Sequence, residues 1–319
     1  MLITPTRKAT PPPAAARSST TTTLPALLGQ ITAGVTQLGA EFRVDRQKFQ
    51  KLSQRLTEER FHLAVLGQFK RGKNTLLNAL LGEVILPTAV VPLTAIPTFL
   101  HSGLHRQAQV IYQASQPGET FYGHNTDELT IFLTKFVTEA GNPKNQRGVS
   151  HVELFHPATL LRQGVVMIDT PGIGSTLRHN TEATLNFLPQ CDAVLFLVSA
   201  DPPITEVEVG FLKEVRSRVA HLFFILNKVD YLSNEERQAA LCFFRNVLQD
   251  QVGIEGEPSV FCISARQGLQ ARQTGDITLW QQSGLAEVEN HLLKFLVSDK
   301  TEVLQTALAC KANERELKK

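Results

Sequence analysis

The sequence predicts an α/β fold: a mainly parallel sheet with helices on both faces, preceded by one long helix. Three observations predict it. Apolar runs of strand length alternate with helically spaced segments along most of the chain, the pattern of strand–helix–strand units. Several runs, 164–168, 193–198 and 221–226 among them, are almost unbroken, as in strands buried on both faces. An apolar seven-residue repeat over 28–56 needs a helix to present it.

Residues 1–23 are mostly Ser, Thr, Pro and Ala, with Arg7, Lys8 and Arg17 and no acid. They bury too little apolar surface to offset ordering entropy, so a disordered tail is expected. The composition also resembles an organelle transit peptide, without its amphipathic arginine-rich helix. Residues 24–60 are expected to form the long amphipathic helix. Leu28, Val35, Phe42, Phe49 and Leu56 recur every seven residues, and Ile31, Leu38 and Leu52 fill the offset of three, broken at Asp45. That seam must be buried, on the flank of the next domain or in a helical neck, and its length favours the neck. Within 61–298, strands are expected at 62–66, 96–100, 109–112, 151–155, 164–168, 193–198, 221–226 and 259–263. Helices are expected at 74–81, 204–217, 233–249 and 285–297. Residues 299–319 read as the start of a C-terminal helix.

Composition narrows the function. The chain has 319 residues, 42% hydrophobic and 19% charged, with a net charge of +2. Residues 1–60 carry nine Lys/Arg against four Asp/Glu, and the rest carries 23 against 26. The larger part is slightly acidic, so no nucleic-acid partner is expected. No apolar stretch approaches 18 uncharged residues, so no transmembrane helix is expected. Cys191, Cys242, Cys262 and Cys310 are scattered. Without a secretory-type start they read as buried thiols in a reducing, cytoplasmic compartment.

The chemistry is concentrated at strand ends. Gly67-Gln68-Phe69-Lys70-Arg71-Gly72-Lys73-Asn74-Thr75 follows the first strand and opens a helix. Glycines five apart followed by lysine let main-chain N–H groups wrap a phosphate at a helix N-terminus. Lys73 then reaches the β- and γ-oxygens. Asn74 stands where the pattern places a Ser or Thr ligand for Mg²⁺. Strand 165–168 leads into Asp169-Thr170-Pro171-Gly172, where an aspartate can hold a Mg²⁺-bound water and Gly172 can turn its N–H onto a γ-phosphate. Strand 221–226 ends in Asn227-Lys228-Val229-Asp230. Asp230 can accept hydrogen bonds from guanine N1 and N2, Asn227 braces the loop, and the Lys228 stem covers one ring face. Adenine lacks those donors, and a buried unpaired carboxylate is costly. Ser264-Ala265 follows the next strand, where a contact to guanine O6 would lie. All four stand in order at strand ends, where α/β sheets bind ligands. GTP and GDP with Mg²⁺ are the expected ligands.

These motifs resemble those of translation-factor-type GTPases, and their spacing resembles the dynamin superfamily, which implies a P-loop GTPase domain at 61–298. From Gly67 to Asp169 is 102 residues, far more than a minimal small-GTPase core, and from Asp169 to Asn227 is 58. Leu93-Thr94-Ala95-Ile96-Pro97-Thr98-Phe99 resembles the dynamin first switch, and 61–82 with 86–97 resemble bacterial dynamin-like proteins. The resemblance covers about 28–300; in the family the preceding helix joins a neck bundle, and the stalk and membrane paddle lie C-terminal. It implies a GTP hydrolase that forms a homodimer through its GTPase domain and remodels membranes. Membrane lipid as a partner, and a peripheral-membrane location, rest on the resemblance alone.

The resemblance also assigns roles. Thr94 closes over the γ-phosphate, its hydroxyl ligating Mg²⁺ and its carbonyl positioning water, with Thr88 and Thr98 as rivals. Asn74, Thr94 and Asp169 form the metal set. The glutamine of small signalling GTPases is replaced by Ile173, which cannot orient water. Lys73 and Lys70 are the catalytic candidates. Dynamins hold a monovalent cation near the Lys70 position, and guanylate-binding proteins place an arginine finger there. Lys70 either replaces that cation or is a solvated surface lysine. Two other classes stay open: a ribosome-assembly GTPase with a similar loop, and a GDP-biased scaffold whose hydrolysis Asn74 impairs. The spacing, Ile173 and the N-terminal helix favour the dynamin reading over the ribosomal one.

Overall fold

Strands and helices alternating after residue 60 build one sheet of nine strands. The computed structural model describes residues 24–37, 42, 60–88, 94–113, 116–173, 184–185 and 187–298. The chain divides into two units, Met1–Thr57 and Glu58–Lys319. In the first, α1 (Leu24–Gln37) covers the start of the predicted long helix, with Pro25 in the first turn, where a missing N–H costs nothing. Ile31 is 43% exposed and Phe42 36% exposed. Seam positions Leu38, Phe49, Leu52 and Leu56, the tail 1–23 and the segment 299–319 lie outside the described residues.

The second unit runs β1 (Phe61–Leu66), α2 (Lys73–Leu81), β2 (Thr98–Ser102), β3 (Gln107–Tyr112), β4 (Glu119–Tyr122), α3 (Thr126–Val137), β5 (Val149–His156), α4 (Thr159–Arg162) and β6 (Val165–Asp169). It continues through β7 (Ala193–Ser199), α5 (Glu206–Arg216), β8 (His221–Asn227), α6 (Asn234–Val247), β9 (Val260–Ile263), α7 (Ala265–Thr274), α8 (Ile277–Gln282) and α9 (Leu285–Ser298). The spatial order is β4-β3-β5-β2-β6-β1-β7-β8-β9. From β6 to β9 every pairing is parallel. β2 is antiparallel to β6, and β3 is antiparallel to both β5 and β4. The mainly parallel α/β expectation holds, with antiparallel strands gathered on one side.

The central strands are apolar on both faces because both are covered. Ala64, Leu66, Val194, Phe196, Phe224 and Leu226 pack with Phe211, Leu212 and Val215 of α5 and with Phe244 and Val247 of α6. On the other face Phe61 meets Phe295 of α9 edge-on at 5.7 Å. Each large side chain so buried contributes about 1.5–3 kcal/mol. Parallel strands all point their C-terminal ends one way, so the loops after β1, β6, β8 and β9 emerge along one edge.

Candidate nucleotide-binding site

The loop after β1 owes its shape to two glycines. Gly67 has φ +154°, and a Cβ there would lie 2.4 Å from the Leu197 carbonyl oxygen. Gly72 caps α2 at φ +98°, and its Cβ would lie 2.4 Å from Asn227 Nδ2. Lys70 between them is also left-handed, φ +67°, with an exposed side chain whose Nζ lies 5.4 Å from the Phe69 ring centroid. Lys73 folds back into the loop, donating to the Gly67 carbonyl at 2.9 Å and towards that of Gln68 at 3.4 Å. Burial pushes its ammonium down to about 8, against the opposing charges of Asp169 and Glu208. Thr75 is half-buried on α2.

The loop after β6 is pressed against this one. Gln68 bridges Ile173, which is buried in the core. A Cβ on Gly172 would meet Phe69 N at 3.2 Å and Lys73 Nζ at 3.4 Å. Asp169 is buried at the tip of β6, and that burial pushes its carboxyl up to about 6, despite Lys73 and hydrogen bonds from Thr94 and Thr170. Thr94 Oγ1 donates to Asp169 Oδ2 at 3.2 Å and lies 3.5 Å from Asn74 Nδ2, which donates to the Pro87 carbonyl at 2.7 Å. The three predicted metal residues therefore converge. Asp169 Oδ1 is buried with no hydrogen-bond partner, and with the Thr94 hydroxyl it offers the hard oxygens that Mg²⁺ prefers. Asn74 turns its Nδ2 to this cluster, and an amide N–H is a donor only. Of the rivals, Thr88 is exposed and Thr98 is wholly buried in β2 with an unpartnered hydroxyl.

Asn227 braces the site from β8. Its Nδ2 donates to the Arg71 carbonyl at 2.8 Å, and its Oδ1 accepts from the Ala265 N–H at 3.0 Å. Lys228 is left-handed, φ +64°, and burial lowers its ammonium below the usual lysine value. Ser264 caps α7 by accepting from the Gln267 N–H at 3.2 Å. In the Ser264-Ala265 pair, where a guanine O6 contact is expected, the Ala265 amide is engaged by Asn227. Asp230 is 2% exposed at its side chain and accepts from Arg266 Nη2 at 2.9 Å.

The Arg71 side chain turns away from the loop and into the fold. Its Nε and Nη2 reach the two oxygens of Glu208 at 2.8 and 2.6 Å. Nη1 donates to Ser199 Oγ at 2.6 Å and to the Pro202 carbonyl, and Nη2 also donates to the Pro203 carbonyl at 3.1 Å. The guanidinium is spent, which leaves Arg71 only its main chain at the loop. Sequence reasoning missed this lock. Thr205-x-x-Glu208 signals a helix start, and the structure does form that capping box, but nothing local shows that the same glutamate reaches Arg71.

Residues 63–229, more than half of the chain, match the dynamin family through its Dynamin_N domain. The chain belongs to the dynamin family. GTP binding and hydrolysis are general to this family. The chain is 37% identical over 252 residues to an uncharacterised protein of Caldicellulosiruptor sp. (strain Rt8B.4), covering 79% of this chain and 60% of that one. It is 28% identical over 273 residues to the bacterial dynamin-like protein of Nostoc punctiforme, covering 78% and 38%. It thus spans 60% or less of the length of these relatives. A bacterial dynamin from an oligomerised pair that senses and tethers membranes over long range shares its fold, with TM-score 0.62 and 19% identity over 91% of this chain and 46% of that one. No helix among the described residues of this dynamin-family chain is long and apolar enough to cross a membrane.

Proposed function

We propose that residues 61–298 bind guanine nucleotide at the Gly67–Thr75 loop, Asp169–Gly172, Asn227–Asp230 and Ser264–Ala265, and hydrolyse GTP to GDP and phosphate. The observation that carries this is the convergence of Lys73, Thr94 and Asp169 beside a loop that Asn227 ties to the base-binding corner. Main-chain N–H groups of the loop cradle the β-phosphate, and Lys73 exchanges the Gly67 carbonyl for β- and γ-oxygens. Thr94 and Asp169 would hold the Mg²⁺ that arrives with the nucleotide and offsets phosphate charge. The Thr94 carbonyl positions the attacking water, since Ile173 is buried and has no polar atom. Lys70, exposed beside the loop, is the candidate for extra transition-state charge.

The cycle serves self-association through the GTPase domain and membrane remodelling, at the cytoplasmic face of a membrane. Support for this comes from family membership and from the membrane-tethering oligomer that shares the fold. In the same reading, 24–60 is a coiled-coil neck helix, 299–319 begins its partner helix and 1–23 is a tail. Asn74 favours a second reading of the same site, a GDP-biased binder with slow turnover, because its donor faces Thr94 where a hydroxyl ligand is expected.

Phosphate release from GTP and from ATP, with flotation on anionic liposomes, tests the proposal. Release from GTP alone, lost in Lys73→Ala, is expected, with GTP-dependent flotation. Equal release from ATP would contradict guanine specificity, and a chain that never floats would contradict the membrane role.

A further inference from the structure

The corner assigned to guanine contains a cation of its own. Arg266, the second residue of α7, donates from Nη2 to Asp230 Oδ2 at 2.9 Å, and its guanidinium lies 5.6 Å from the Tyr231 ring centroid. The exposures of the pair are unequal: the Arg266 side chain is 69% exposed and that of Asp230 only 2%. The arginine is therefore a solvent-exposed cover on a carboxylate that is enclosed while the pair is made.

The chemistry of the cover matters. The N1–C2–N2 edge of guanine is a cyclic guanidine that offers parallel N–H donors, as an arginine fork does. Asp230 would receive the base through both carboxylate oxygens, one of which, Oδ2, already accepts from Arg266. We propose that Arg266 is a built-in competitor for guanine: it occupies Asp230 Oδ2, an oxygen the base would take, must swing off towards solvent for nucleotide to bind, and thereby sets the affinity of the site. This rests on the nucleotide site proposed above. Arg266 needs little to move, because only its tip is paired and the rest of the side chain is in water. Arg266 also supplies a counter-charge to the Asp230 carboxylate whenever the base leaves.

Isothermal titration of GDP into the full chain, Arg266→Ala, Arg266→Gln and each change combined with Asp230→Asn tests the proposal. Both single variants are expected to bind GDP about two- to fivefold more tightly in dilute buffer, the scale of an ion pair open to water on one side. The gain should shrink as NaCl is raised, because salt screens the competing pair. In the Asp230→Asn background, titrated with XDP, replacing Arg266 should change nothing. Unchanged or weaker GDP binding by the single variants overturns the proposal, as does an equal gain without the Asp230 carboxylate. Equal binding of ADP and GDP by the unaltered chain overturns the underlying site instead, so the two failures are distinguishable.

Discussion

Asn74 holds a position at which one atom decides the chemistry. A serine hydroxyl there would supply an oxygen to Mg²⁺; the carboxamide is longer and spends its Nδ2 on the Pro87 carbonyl, beside Thr94. Asn74→Ser is expected to raise GTP turnover at least about tenfold, or about 1.4 kcal/mol of barrier, and to strengthen GTP binding more than GDP binding. Robust Mg²⁺-dependent turnover by the unaltered chain would show Asn74 to be a competent ligand. Arg71 and Glu208 make the opposite kind of pair, buried and structural. Glu208→Gln leaves a buried guanidinium without its counter-charge and should cost about 3–5 kcal/mol in denaturant unfolding. A loss below 1 kcal/mol would show that Ser199 and the proline carbonyls hold Arg71 unaided.

At the scale of elements, Thr205 and Glu208 cap α5 reciprocally, so one glutamate serves both the helix start and the phosphate loop. Thr205→Ala removes the cap and the hydroxyl's bond to Glu208 Oε2 but keeps the Arg71 pair, and should cost about 1 kcal/mol, well below Glu208→Gln. Equal losses would mean that the cap, not the Arg71 pair, dominates. The same scale shows what the sequence displays. The central strands and α5, α6 and α9 are legible because continuous apolar runs and 3.6-residue spacing report burial directly. Helix α3, absent from the expected helices, carries a comparable stripe, Leu129, Leu133, Phe136 and Val137, behind an Asn125 cap. By contrast, α7 buries only Ala265, Gly268 and Ala271, small residues that make no apolar stripe, and β4 is a four-residue edge strand with little burial. In the site, motif glycines, Lys73, Asp169 and Asn227 are legible from spacing. The Arg71–Glu208 and Arg266–Asp230 pairs are not, because each joins residues brought together only by the sheet.

Across the whole molecule, Glu83 links α2 to the antiparallel side of the sheet. It accepts from Arg106 Nε at 2.8 Å and lies 3.5 Å from His156 Nε2. Burial alone would raise its carboxyl, but Arg106 and His156 outweigh that and hold it below the usual range. A depressed carboxylate stabilises the fold above its unfolded value of 4.5, and the benefit fades as pH falls through the lower folded value. His156 is held below 6.5, mainly by burial, so acidification from about that pH also favours the unfolded chain. Melting temperature should therefore fall below about pH 6.5, and the gap between the chain and Glu83→Gln should close as pH drops below 4.5. A gap that stays constant with pH would remove Glu83 from the acid response.

The central claim is the proposed selection of guanine by the loops after β1, β6, β8 and β9. Calorimetric titration of the intact chain with GDP and with ADP, repeated on Asp230→Asn with GDP and XDP, tests it most directly. The structure predicts GDP binding with little ADP binding. It also predicts a switch towards XDP in Asp230→Asn as one charge-assisted contact, about 2–3 kcal/mol, is lost to GDP. Equal affinity for ADP and GDP, or an Asp230→Asn variant that keeps its preference for GDP, would contradict it.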